Sequence, residues 1–255
     1  SFFKFFISGP IILDFKKYKF YSSLKKKDLS RWMLKNLKEW DKKNIDIISK
    51  LIKSDNFTFI DCGSNYGAYS IPIAANNPKI KVYAFEASLE IVGKLKENIN
   101  LNNIKNIEVF NCGVGEKNEY QLFDQNINNF NNSGSFRFTN KIKNGNQKLK
   151  IYSLDTLAKD KIIKLSNNLI VKIDIEGFEF KALKGMEEII KNHNIFIMFE
   201  FSRMLIENEE NLELEFDKFL IRNKLNLYDL NFNKIHLTKL FEILSKTDTR
   251  YQTIG

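Results

Sequence analysis

Phe57-Thr58-Phe59-Ile60-Asp61-Cys62-Gly63-Ser64-Asn65-Tyr66-Gly67 is the stretch that decides the fold of this chain. An apolar run too short for a helix ends in an acid, and two glycines follow four residues apart. This pattern predicts a buried strand that runs into a tight turn, with a helix from about Ala68 to Ala75. Working outward, KVYAFEA (81–87) reads as a second strand, and Leu89, Val92, Leu95 and Ile99 mark one face of the helix after it. IEVFNCG (107–113) reads as a third strand. Apolar strands that alternate with helices are the mark of a parallel sheet covered on both faces.

Residues 118–153 break that rhythm. YQLF, SFRF and LKIYSL read as short antiparallel strands, separated by Asn/Gly/Ser-rich turns at 126–135 and 144–146. The alternation resumes with LIVKIDIEG (169–177), a helix on Phe180, Leu183, Met186 and Ile190, the strand IFIMFEF (195–201), and a helix on Leu212, Phe216, Phe219 and Leu220. NLYDL and KIHLTKL then read as a C-terminal antiparallel hairpin turning at Asn231–Asn233. Upstream, residues 11–21 read as a short extended pair. Two helices follow, one on Leu29, Met33, Leu37 and Trp40, the other on Ile45, Ile48 and Leu51. The expected fold class is α/β: a Rossmann-like, mostly parallel doubly wound sheet with a C-terminal antiparallel hairpin and an N-terminal helical extension. The expected division is a basic, partly helical extension over 1–55 and a cofactor-binding domain over 56–255.

Composition narrows the classes. Of 255 residues, 43% are hydrophobic and 23 are Phe, enough for a sizeable core. No apolar run is long enough to span a bilayer. The opening SFFKFFISGPIILDF is interrupted by Lys4, Gly9 and Pro10 and makes a poor signal-peptide core. Two cysteines, Cys62 and Cys112, suit a reducing, cytoplasmic setting better than a secreted disulfide scaffold. The net charge of +9 is uneven: residues 1–50 hold 13 Lys/Arg against 5 Asp/Glu, and the rest is nearly neutral. Lys25, Lys26 and Lys27 form the densest cluster. The basic segment is either a solvated helix face or a surface for an acidic glycan or phospholipid head groups. No nucleic-acid module accompanies it, so no specific nucleic acid is expected.

In open α/β sheets, ligands bind beyond the carboxyl ends of the strands. Gly63 and Gly67 allow a tight turn and close backbone approach, with Ser64, Asn65 and Ser70 around them. Asp61 places a carboxylate where a diphosphate would be repelled and a ligand ammonium welcomed. Nineteen residues past Gly67, Glu86 ends the second strand, with Ala87 beside it, where an acid can accept hydrogen bonds from both hydroxyls of a ribose. A nicotinamide site would want three closely spaced glycines, so S-adenosyl-L-methionine, with its ammonium, sulfonium and ribose diol, fits this loop better. Asn111, Cys112 and Gly113, at the third strand's end, leave room for an adenine.

These residues are joined by Val171-Lys172-Ile173-Asp174-Ile175-Glu176-Gly177-Phe178-Glu179, continuing to Leu183-Lys184-Gly185. With DCGSNYG, FEA, SLDTL (153–157) and MFE (198–200), the chain resembles the FkbM family of methyltransferases over about residues 57–201. Ser64 and Tyr66 stand where that family more often has Ala or Val. The resemblance implies a class I methyltransferase fold and methyl transfer to a hydroxyl of a sugar in a surface polysaccharide, or of a macrolide or other natural product.

An alcohol must lose a proton as it attacks, which favours a base within hydrogen-bond reach. Asp174 is the first candidate, Glu176 the second, and Glu200, on the same rim, the third. The three carboxylates are read as base or substrate orienters. A divalent metal such as Mg2+ would also accept such oxygens but is not favoured. Glu179 sits early in a helix, where the dipole favours an acid regardless of function. His193 and His236 fall away from the rim. Ser133-Gly134-Ser135 and the Asn-rich stretch before it suit a lid, and Trp32 and Trp40 are either core residues or a lining for a sugar. Two rival functions remain open: an RNA methyltransferase, for which the amino-directed D/N-P-P-Y/F signature is missing, and a non-catalytic cofactor-binding scaffold.

Overall fold

The computed structural model describes residues 11–14, 18–22, 42–124, 137–138, 146–201, 211–246 and 251–254. Three central strands follow the alternation read from the sequence: β3 (Phe57–Cys62), β4 (Lys81–Glu86) and β5 (Ile107–Asn111). They follow a hairpin of β1 (Ile11–Asp14) and β2 (Lys19–Ser22) and the helix α1 (Lys42–Leu51). Helix α2 (Ser70–Asn76) links β3 to β4, and α3 (Leu89–Leu101) links β4 to β5. Ser88 starts α3 as its N-cap, accepting the Ile91 amide, a contact whose loss costs about 1 kcal/mol.

The second half brings β10 (Asn168–Ile173) and β11 (Asn194–Phe201). Among the described residues the main sheet has the order β12-β11-β10-β3-β4-β5, and all neighbours are parallel except β12 (Tyr251–Ile254). The strand order reverses between β3 and β10, so the crevice beyond their carboxyl ends is the topological switch point. Nearly every residue of β3, β4 and β10 is buried, as a sheet covered on both faces demands.

On one face pack α5 (Glu179–Lys184), α6 (Glu187–Asn192), α7 (Leu212–Arg222) and α8 (Leu237–Lys246), with Phe180, Phe216 and Phe219 forming an aromatic cluster around Phe199. On the other face Ile47 and Ile48 of α1 meet Phe59, Ile71, Val82 and Leu95. The N-terminal hairpin joins this second core. Phe20 has no exposed surface, and the main chain of Lys19 and Tyr21 is bonded by the Asn102 and Asn98 side chains of α3.

The short strands read within 118–153 belong, among the described residues, to a separate small sheet: β6 (Gly113–Val114), β7 (Glu119–Asp124), β8 (Arg137–Phe138) and β9 (Asn146–Tyr152), in the order β6-β9-β7-β8. Helix α4 (Leu154–Lys159) follows it, capped by Ser153.

Two expectations change in detail. The single helix read through Phe180–Ile190 is two, because Gly185 packs against the backbone of Gly115 with no room for a side chain, and the chain steps sideways there. The C-terminal hairpin shrinks to one bridge, Tyr228–Lys234, around a turn held by Asp229. Its second half becomes α8, because Leu237 and Leu240 lie on one helical face and bury there. The antiparallel partner of β11 is β12 instead. Trp32, Trp40, Lys25–Lys27 and the Asn-rich stretch with Ser133-Gly134-Ser135 lie outside the described residues. No helix among the described residues is long and apolar enough to cross a membrane.

Candidate active site

The glycine turn after β3 is built as its sequence requires. Gly63 has φ +77° and Gly67 φ +91°, both left-handed. A side chain at Gly63 would meet the Asp174 carbonyl oxygen at 1.9 Å, and one at Gly67 would strike Ile71 and Leu95 at 2.8 Å. Ser64 is bound to the end of β4: its amide and hydroxyl, with the Gly63 amide, all donate to the Phe85 carbonyl. Asn65 is left-handed too, at φ +49°, and its side-chain oxygen accepts the Tyr66 amide.

Glu86, at the tip of β4, reaches across to this turn. Its two oxygens accept the amides of Asn65 and Ser88, each at 2.9 Å, so each keeps an open lone pair. Burial pushes its pKa up, partly offset by the Ser88 and Asn65 amides. Asn111, expected near a base, donates instead to the carbonyls of Glu86 and Ala87, so it fixes the tip of β4. Ala87 packs on Leu149 and Ile151 of the small sheet, and Gly113 pairs with Ile151. Cys112 and Cys62 are free and buried. Burial drives both thiols up, Cys112 to about 12, which leaves them inert as nucleophiles.

Asp61, read as the partner of a ligand ammonium, is engaged within the chain as well. It has no exposed surface. Its Oδ2 accepts the Ser70 amide at 3.2 Å and the Ser70 hydroxyl at 2.5 Å, and its Oδ1 lies 3.3 Å from the Lys172 ammonium. A carboxylate in a closed parallel sheet is stable only when compensated; Ser70 and Lys172 supply part of this, while Oδ1 accepts no hydrogen bond among the described residues. Asp61 and Ser70 therefore act beneath the glycine turn.

Lys172 is the residue that the sequence reading passed over. Its ammonium donates to the Gly63 carbonyl at 2.9 Å, lies 3.3 Å from Asp61 and 3.6 Å from Asp174, and sits over the Tyr69 ring. One buried cation thus ties together the ends of β3 and β10. The signal was present: a lysine inside the apolar run LIVKI of a two-sided strand must find a buried anion.

Asp174 leaves β10 with its amide on the Cys62 carbonyl, its side chain 34% exposed and its own carbonyl beside Gly63. Glu176, partly buried, follows at φ +56°, and Gly177 at φ +97°. Glu200 is buried near the carboxyl end of β11, one step past Phe199, which pairs with Ile173. Asp174, Glu176 and Glu200 share this edge of the sheet, but among the described residues no three His, Cys, Asp or Glu converge as metal ligands. His193 lies where β11 begins, with Nδ1 3.0 Å from the Ile189 carbonyl oxygen, at the opposite edge. His236 stands at the start of α8.

Comparison with known proteins places this geometry in a family. The sequence model of the Methyltransferase FkbM domain matches residues 61–230, two thirds of the chain. No curated protein matches the sequence. Among solved structures, the FkbM methyltransferase of Methylobacillus flagellatus KT is 19% identical with a TM-score of 0.45, over 70% of this chain and 41% of its own. TYW2 of M. jannaschii, solved with AdoMet, is 13% identical with a TM-score of 0.43, over 96% of this chain and 83% of its own. A SAM-dependent methyltransferase of Aquifex aeolicus is 14% identical with a TM-score of 0.42, over 86% and 93%. The chain thus spans less than half the length of the M. flagellatus protein. The assignment rests on the sequence match, which begins at Asp61 and contains the glycine turn, Glu86 and the Asp174 turn: the chain belongs to the FkbM methyltransferase domain family.

Proposed function

We propose that this chain binds S-adenosyl-L-methionine and transfers its methyl group to a hydroxyl of a carbohydrate or related natural-product acceptor. The observation that carries the reading is Glu86. It is a buried carboxylate with a free lone pair on each oxygen, held against a turn where neither glycine tolerates a side chain. That cradle suits a ligand that brings a vicinal diol to the carboxylate and lies flat against the turn's backbone. Gly63, Ser64, Asn65 and Gly67 form its floor, Asp61 and Ser70 support the floor from below, and Ala87, Asn111, Cys112 and Gly113 border the far end.

When bound, the cofactor supplies a methyl group already activated on a sulfonium. The protein's remaining work is to place an alcohol in line and take its proton. Asp174, partly exposed at the switch point and held from behind by Lys172, is the general base in this reading. Glu176 and Glu200 orient the acceptor. Family membership supports the hydroxyl acceptor, as does a carboxylate, rather than an amino-directed D/N-P-P-Y/F motif, at the end of β10.

Residues 1–55 act in this proposal as a basic extension of the domain 56–255, offering a surface to an acidic glycan or to phospholipid head groups. The test is transfer of a labelled methyl group from S-adenosyl-L-methionine to a panel of hydroxylated sugars, with RNA alongside. Labelled sugar supports the reading. Labelled RNA, bound with a steep salt dependence, would replace the acceptor class. Tight cofactor binding with no acceptor labelled would favour the scaffold.

A further inference from the structure

The turn after β10 carries Asp174 and Glu176 in a backbone that does not hold itself. Glu176 is left-handed, which costs a residue with a side chain about 1–2 kcal/mol. The amides of Ile175 and Gly177 on either side of it point to a single place. That place is the carboxylate of Glu179, which accepts Ile175 at 3.0 Å on one oxygen and Gly177 at 3.2 and 2.9 Å on the two oxygens. Glu179 has no exposed surface and touches neither the glycine turn nor the Glu86 cradle in any of these bonds. Gly63 presses on the other side of the same turn, at the Asp174 carbonyl.

We propose that Glu179 is a positioning residue. Its carboxylate gathers the Ile175 and Gly177 amides and thereby sets Asp174 and Glu176 at the crevice. The relevance to methyl transfer rests on the proposed role of Asp174. The hold on the turn does not.

The chemistry makes the hold depend on charge. An ionised carboxylate only accepts, which matches amides that only donate. A protonated one keeps acceptor lone pairs for those amides and sheds the cost of a buried charge. Burial pushes Glu179 up to about 7, with Asp174 pushing the same way, while its own amide and those of Ile175 and Gly177 pull it down. Along the chain, Glu176 lies in the same turn, Lys172 on β10, and Lys181 and Lys184 on the helix that Glu179 begins. Because closing the turn raises this pKa, protonation favours the closed form, and the turn is held more tightly below about pH 7 than above it.

The experiment follows amide hydrogen exchange of the cofactor-free protein by NMR from pH 8 to pH 6, as protection factors that remove the intrinsic pH effect. Between pH 8 and pH 6 the wild type is expected to gain about tenfold protection at Ile175 and Gly177, equal to about 1.4 kcal/mol, with β3 and β10 unchanged. Glu179→Gln should show low protection at both pH values, with no step between them. Flat protection in the wild type, which needs no variant to fold, overturns the proposal, and so does unchanged protection in Glu179→Gln. In turnover, Glu179→Gln should lower kcat with little change in cofactor Kd, and any step that Glu179 contributes to the wild-type kcat profile near pH 7 should vanish in the variant. If no methyl transfer is found with any acceptor, the functional reading fails while the exchange data still decide whether Glu179 holds the turn.

Discussion

Replacing Gly63 with alanine tests whether the two turns at the switch point are as tightly joined as the structure shows. The new methyl group would sit 1.9 Å from the Asp174 carbonyl oxygen, where ordinary contact begins at about 3.4 Å, so one turn must move by about 1.5 Å. The left-handed φ of +77° adds about 1–2 kcal/mol of its own. Together these predict a loss of at least about 3 kcal/mol, or some 6–12 °C in Tm for a chain of this size. A displacement of this size between cofactor floor and base should also cut methyl transfer by about a hundredfold. The control is Gly93→Ala, in the middle of α3, where nothing lies within 4 Å of the added methyl group. It should stabilise the protein by about 1 kcal/mol through helix propensity alone. Thermal and urea unfolding of both variants measure this directly. A Gly63→Ala protein as stable as Gly93→Ala would refute the close contact.

Lys172→Met leaves the buried carboxylate of Asp61 uncompensated and should cost about 3–5 kcal/mol in urea unfolding. Asp61→Asn in the same chain should recover part of that loss, as a double-mutant cycle would show. Asp174→Asn should keep cofactor affinity and lose methyl transfer in single-turnover assays; unaltered turnover removes Asp174 from the role of base. Glu179 is ordinarily an acid of pKa 4.5 but is raised to about 7 in the fold, so between those values the native state holds a proton that the unfolded chain has lost. Its contribution therefore favours folding at low pH and declines as pH rises to about 7, by at most about 3 kcal/mol. The difference in stability between wild type and Glu179→Gln, measured from pH 4.5 to 8, should show that slope.

Much of this architecture was legible in the chain. The runs FTFID, VYAF, LIVKI and IFIMF are apolar without alternation, which identifies strands buried on both faces. Glycines at 63 and 67 announced the turn because no other residue adopts those angles cheaply. The place of Glu86 at the tip of β4 was legible from the sequence. Asp61 was harder: a strand-tip acid looks the same in sequence whether it faces a ligand or the sheet interior, and the Ser70 and Lys172 contacts are set by tertiary packing. Asn111 likewise carries no sign that its amide bonds the main chain of another strand. Glu179 looked like a routine helix-start acid, because the convergence of the Ile175 and Gly177 amides depends on a left-handed Glu176. The second half of the C-terminal hairpin was ambiguous: KIHLTKL suits either a strand or a helix, and the burial of Leu237 and Leu240 in the core beside α7 made it a helix.

Calorimetric titration with S-adenosyl-L-methionine and with its demethylated product, on wild type and Glu86→Ala, tests the central claim most directly. Micromolar-range binding to the wild type is expected, weakened at least about tenfold when the two carboxylate oxygens are lost. Heat of equal size and affinity in both proteins, or none in the wild type, would contradict the assignment of the cradle between Glu86 and the glycine turn.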